Sequence, residues 1–251
     1  MAATDLIVLL AGAIAAAFVS GLSGFAFALV SLSFWIWRFP LAELAAMVVF
    51  GSLVSQATAM PSVLRDVEPK LVAPYIAGAI VGLPIGTLLI AHINLGLFRL
   101  FVGLLLIAFA AFQLVIGPWL RPRPRDGLVA EVAIGWLSGV LGGLAGLSGV
   151  VPAMWAVARV WTKERQRALF MVFNTFCHIV SLTGLVVAGY VTVATLERFA
   201  ILLPCLVGGA WLGARAYRHV SPMQFRRIVL LLLAASGIVL TVQNGWQALS
   251  G

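Results

Sequence analysis

The sequence predicts an all-α polytopic membrane protein made of two inverted repeats with broken or re-entrant helices at Gly-rich motifs. Three observations predict it: a composition that only lipid can solvate, long runs without charge, and a duplication whose halves each open on an overlong apolar segment. Of 251 residues, 63% are hydrophobic and 10% are charged, and the mean hydropathy is +1.11. A water-soluble domain needs far more charge to cover its surface.

Taken in order, the uncharged runs are Leu6–Trp37, Leu44–Leu64, Leu71–Phe98, Leu100–Leu120, Val132–Ala158, Ala168–Leu196 and Ile228–Gly251. Phe199–Ala214 is shorter but extends past Arg198 to Thr192. A spanning helix needs about 20 apolar residues, so these runs can hold eight helices. The alternating strands of a transmembrane barrel are absent. The opening Met-Ala-Ala-Thr-Asp lacks the basic region of a secretory signal, so the first run is expected to belong to the mature fold. The net charge of +8 comes from 14 Arg and 2 Lys, mostly in short loops, where it reports orientation rather than nucleic-acid binding. Cys177 and Cys205 lie inside apolar runs without metal spacing and are expected to be small buried hydrophobes.

The duplication divides the chain into transmembrane repeat 1 (residues 1–120), a basic linker loop (121–126) and transmembrane repeat 2 (127–251). Gly82-Leu-Pro-Ile-Gly86, His92 and Phe98-Arg99 recur as Gly209-Ala-Trp-Leu-Gly213, His219 and Phe225-Arg226, at one offset of 127. Gly21-Leu-Ser-Gly24 recurs letter for letter as Gly146-Leu-Ser-Gly149. Leu6–Trp37 is 32 residues long, about 48 Å as a straight helix against a core of about 30 Å. It is either one tilted helix or a hairpin that returns to its starting side; the second half repeats the problem around Gly146–Gly149. Four simple spans per half split the Lys and Arg residues ten to six, whereas hairpins split them thirteen to three, with only Arg38, Arg99 and Arg198 on the poor side. The positive-inside rule prefers the hairpins, which invert one half relative to the other and place both termini away from the cytoplasm.

Inverted repeats with interrupted helices are a recurrent transporter plan. A helix restarting after Gly24 or Gly149 offers free N–H groups, with Ser23 and Ser148 near the N-cap positions. Two such termini brought together would form a site for a small anion. The candidate binding residues on this reading are Ser23, Gly24, Ser148 and Gly149. Intramembrane polar residues add Ser52, Ser55 and Gln56 in the first half and Asn174 and Thr175 in the second, with His178 as a proton-coupling candidate. Interhelical hydrogen bonding is the plainer role for the same side chains. Gly78-x-x-x-Gly82-x-x-x-Gly86 and Cys205-x-x-x-Gly209-x-x-x-Gly213 are expected to serve close helix packing. Gln113 is expected to be structural.

No enzyme is expected: His178 has no carboxylate or Cys partner at a helical spacing, and no phosphate-binding loop or metal cluster appears. No cofactor is expected either. A scaffold subunit would not require duplicated breaks at membrane depth. The expected partners are a small anionic substrate, the lipid bilayer and, in a homo-oligomer, other copies of the chain; nucleic acid is not among them.

Phe18-Val-Ser-Gly-Leu-Ser-Gly-Phe-Ala-Phe-Ala-Leu29 resembles the opening of the sulfite exporter TauE/SafE family, and Gly142-Gly-Leu-Ala-Gly-Leu-Ser-Gly-Val-Val-Pro152 resembles its second Gly-rich segment. The resemblance spans nearly the whole chain. It implies a multi-pass permease of the bacterial inner membrane that exports sulfite or a related sulfur anion, with Gly21, Ser23, Gly24, Gly146, Ser148 and Gly149 around the substrate. An uptake permease for an organosulfonate or small carboxylate is the alternative expectation. Phe27-Ala28 and Val150-Val151 depart from the family pattern, which bears on the substrate more than on the fold.

Overall fold

The computed structural model describes residues 3–116, 127–157, 159, 161–217, 230–231 and 233–242. Its elements are α1 (Ala3–Ser23), α2 (Phe27–Trp35), α3 (Leu41–Ala59), α4 (Pro69–Leu89), α5 (Leu95–Ala111), α6 (Leu128–Ala145), α7 (Val150–Ala156), α8 (Lys163–Val187) and α9 (Val193–Ala216). A last helical stretch, α10 (Leu233–Val242), belongs to the final apolar run. Seven of these helices are long and apolar enough to cross a membrane. Helix ends follow local chemistry. Asn94 Oδ1 accepts from Gly96 N at 2.7 Å, Thr162 Oγ1 accepts from Arg165 N at 3.2 Å, and Thr192 with Thr195 forms a reciprocal capping box.

The long first run is a hairpin, not one tilted helix. Trp35 Nε1 donates to Leu9 O at 3.2 Å, and Arg38 pairs with Asp5 at 3.1 Å, so α2 returns along α1 to its start. A β-carbon on Gly12 would lie 2.4 Å from Trp35 Nε1, and that close fit lets the two arms touch. The second run also breaks, into α6 and α7.

Two helix pairs bind the halves together. α4 lies parallel to α6: a β-carbon on Gly78 would meet Val132 O at 2.0 Å, on Gly82 Trp136 O at 2.1 Å, and on Gly86 Val140 O at 2.0 Å. α9 lies parallel to α1, with a Gly213 β-carbon 2.1 Å from Phe18 O and one on Gly209 3.0 Å from Ile14 O. Both Gly-x-x-x-Gly series thus do the packing work expected of them, letting backbone touch backbone. Each pair joins the first helix of one half to the glycine helix of the other. α10 runs antiparallel to α5, with Gly237 near Ile107 and Gly103 near Thr241.

The charges sort the molecule into two ends. At one, Arg38 meets Asp5, Arg99 Nε donates to Ile36 O at 3.1 Å, and Arg198 pairs with Glu43 beneath the Phe39 ring. At the other, Arg165 pairs with Glu68 at 2.8 Å, and Arg167 reaches Ser62 and the Tyr217 ring. Between them α3 is the most enclosed span, while large apolar side chains such as Leu88, Val187 and Leu212 face outward. His219, Phe225, Arg226 and the linker 121–126 lie outside the described residues.

Candidate functional site

The two identical tetrapeptides break their helices in different registers. In the first, α1 continues through Gly21 to Ser23, and Gly24 takes φ +88°, a conformation only glycine adopts cheaply. Ser23 Oγ then accepts from Phe25 N at 3.4 Å and Ala26 N at 3.3 Å, holding the turn into α2. In the second, α6 stops at Ala145, and the first glycine, Gly146, takes the left-handed φ of +69°. Gly149 becomes the N-cap of α7 with φ −79°, and no side chain caps it. Ser148 does not cap the helix, as its position in the motif suggested. Its hydroxyl donates to Asn174 Oδ1 at 2.8 Å.

The breaks meet. A β-carbon on Gly149 would lie 2.7 Å from Phe25 Cβ and 2.9 Å from Asn174 Nδ2. One on Gly24 would lie 3.2 Å from Arg167 Cγ, and one on Gly146 3.6 Å from His178 Nε2. Gly21 stands apart, because its Cα faces the Ala210 carbonyl and its role there is packing.

Helix α8 supplies the facing side chains. Arg167, Met171, Asn174, His178 and Ser181 recur every three or four residues along one buried face. Asn174 is fully buried, and its Nδ2 has no partner. His178 Nε2 lies 3.1 Å from Gly146 O and its Nδ1 3.1 Å from Gln56 Oε1 on α3. Thr175 Oγ1 donates to the same Gln56 oxygen at 3.4 Å, and Ser181 Oγ donates to Gly142 O at 3.3 Å. Gln56 Nε2, Ser52 Oγ and Ser55 Oγ are buried without partners. A buried donor left unbonded costs about 1–3 kcal/mol, so this cluster offers hydrogen bonds to something the protein does not itself supply. Donors and hydroxyls without a carboxylate suit an anion. Among the described residues, no group of three or more His, Cys, Asp or Glu could hold a metal ion.

Two features escaped the sequence reading. Arg167 is 4% exposed, although the sequence placed it among orientation-setting loop charges. Its Nη2 donates to Gly21 O at 2.6 Å and its Nη1 to Ser62 Oγ at 3.0 Å. The aromatic cluster of Phe25 with Phe109 and Phe170 had no sequence signal, since Phe25 lies in the first break and the other two lie in α5 and α8. Gln113 sits in a π-helical turn (Phe112–Ile116) that prolongs α5, and its Nε2 donates to Ala153 O at 3.4 Å. The α8 periodicity is the signal that could have placed Arg167 on the polar face.

Comparison with known proteins agrees with this architecture. The family model described as sulfite exporter TauE/SafE matches residues 8–240. A probable sulfite/organosulfonate exporter TauE of Cupriavidus necator is 26% identical over 217 residues, covering 82% of each chain. A probable inner membrane transporter protein TsaS of Comamonas testosteroni is 33% identical over 114 residues, 41% of this chain and 47% of that protein. No solved structure matches. A match running from the first helix to the last, over a bundle broken at both Gly-Leu-Ser-Gly motifs, means that this chain belongs to the sulfite exporter TauE/SafE family.

Proposed function

We propose that the chain is a secondary transporter that exports a small sulfur oxyanion such as sulfite across the bacterial inner membrane. The observation that carries the reading is the set of buried, partnerless donors, Asn174 Nδ2 and Gln56 Nε2 foremost, beside the point where the two helix breaks touch. Family membership and the names of the relatives support the substrate class. An oxyanion presents several acceptor oxygens, each able to take an amide, hydroxyl or backbone donor. Without a fixed cation in this inner cluster, dipolar donors compensate one charge better than two. The carried species is therefore the hydrogensulfite monoanion or a monoanionic sulfonate.

The parallel α1–α9 and α4–α6 pairs, each joining the two halves, support an inverted-repeat plan in which the site lies on the pseudo-symmetry axis. Gly24, Ser23, Gly146, Ser148 and Gly149 form its backbone frame, and Asn174, Thr175, Gln56, Ser52 and Ser55 its side-chain donors. Organosulfonate is the second substrate class, favoured by the name of the Cupriavidus relative. The test is flux into proteoliposomes with sulfite, an alkyl sulfonate, sulfate and a simple cation compared side by side. Saturable flux of sulfite or the sulfonate, above that of sulfate, is expected. Cation movement without sulfur-anion flux overturns the assignment.

A further inference from the structure

A cavity of about 230 Å³ lies between the first helix break and the Arg167 end of the bundle. Its polar lining is Ser23, Gln113, Lys163, Gln166, Arg167 and Tyr217. Two cations and no carboxylate line it. Asp66 and Glu164 instead line a smaller adjoining space of about 90 Å³, which shares Arg167 and Tyr217. Among the described residues no carboxylate lies within ion-pairing distance of Arg167, whose guanidinium is spent on a backbone carbonyl and a serine hydroxyl. Its Nε and the Tyr217 hydroxyl are both buried without a partner. Burial pushes the Tyr217 phenol up, so it remains a neutral donor. Lys163, 62% exposed and 3.7 Å from the exposed Glu164 carboxylate, stands at the rim of the cavity.

Phe25 joins the cavity to the inner polar cluster. Phe25 lines the cavity, packs edge-on against Phe109 and Phe170 at 6.0 and 5.2 Å, and presses its Cβ on Gly149 beside Asn174. Phe25 thus stands between the cavity and Asn174.

We infer that this cavity is an anion-binding vestibule, in which Arg167 and Lys163 capture a sulfur oxyanion before Phe25 admits it to the inner polar cluster. The assignment rests on the transport reading above and adds a second, cationic station to it. Asp66 and Glu164 line the adjoining space without pairing with Arg167, which therefore offers a ligand its charge and its unpartnered Nε–H. The arrangement also divides the labour: capture by charge at the rim, release from a cluster without fixed charge.

The test measures sulfite flux in proteoliposomes against sulfite concentration at constant pH. Arg167 also ties α1 to the turn at Ser62, so the decisive pair of variants leaves it in place. Val157 lines the cavity, and Val157→Glu and Val157→Gln differ from each other in charge alone. Val157→Gln is expected to keep the wild-type half-saturating concentration within about threefold, and Val157→Glu to raise it roughly tenfold or more. Arg167→Gln should raise it at least as far, with Arg167→Lys between. Equal half-saturation in the Glu and Gln variants, with wild-type flux intact, overturns the vestibule and leaves the transport reading standing. Absence of saturable sulfite flux in the wild type overturns the transport reading, and this assignment with it.

Discussion

His178 bridges the two halves of the chain through one ring, with the Gly146 carbonyl on one nitrogen and the Gln56 amide on the other. The carbonyl can only accept, so Nε2 carries a proton. A neutral ring then needs a donor at Nδ1, which Gln56 provides when its amide nitrogen turns inward. A charged ring would donate from both nitrogens, to Gly146 O and Gln56 Oε1, and would leave Gln56 Nε2 free for a ligand. On the transport reading proposed above, His178 would link proton uptake to anion binding through that one amide. Sulfite itself exchanges a proton near neutral pH, so the comparison must be made against the wild-type profile. His178→Ala should flatten the pH dependence of sulfite flux while changing half-saturation less. A variant profile as steep as the wild type removes the proton role and nothing else. Asn174→Ala deletes the donor beside Gly149, and an expected loss of about 1–3 kcal/mol corresponds to half-saturation raised several-fold to about a hundredfold. Ser148→Ala, which only frees Asn174 Oδ1, should shift it in the same direction by less. Unchanged half-saturation in both variants would mean that this hydrogen bond only holds helices together.

At the scale of elements, spacing made some features legible and hid others. The hairpin was readable because 32 uncharged residues exceed one membrane thickness and Gly-Leu-Ser-Gly interrupts them. Which glycine would turn left-handed was not readable, because the two tetrapeptides are identical and tertiary contact decides. Gly21 must stay helical to lie against Ala210, whereas Gly146 is free to end α6. Arg167 was hidden for a related reason: α8 starts at Lys163, so the first turn that looked like loop is helix. The glycine series, by contrast, had one meaning and kept it. Gly82→Leu places a β-carbon about 2 Å from the Trp136 carbonyl, and the helices must separate. It should lower the thermal midpoint by several degrees or leave the protein aggregated in fluorescence-detected size exclusion. Gly208→Ala, one residue from Gly209 and with nothing within 4 Å of the new atom, should be neutral or slightly stabilising. A Gly82→Leu protein as stable as the wild type would show that α4 and α6 do not need backbone contact.

For the whole molecule, the grouping of charges makes a statement about orientation. Arg38, Arg99 and Arg198 gather at one end with Asp5 and Glu43, so even the poor end neutralises much of its charge. The opposite end carries Arg165, Arg167 and Lys163 on α8, with the turns at residues 60–66 beside them. Under the positive-inside rule that end is cytoplasmic, which turns the vestibule toward the cell interior, where an exporter must capture its anion. His92 follows α4 at the Arg38 end, and Leu64 precedes α4 at the other; both are exposed. In a background with Cys177 and Cys205 replaced by alanine, His92→Cys should react with an impermeant thiol reagent in intact cells. Leu64→Cys should react only after the membrane is opened. The reverse pattern would turn the bundle over, place the Lys163 rim outside, and favour uptake over export. Labelling of both positions from one side would be harder still to accommodate, because α4 would then fail to cross the membrane at all.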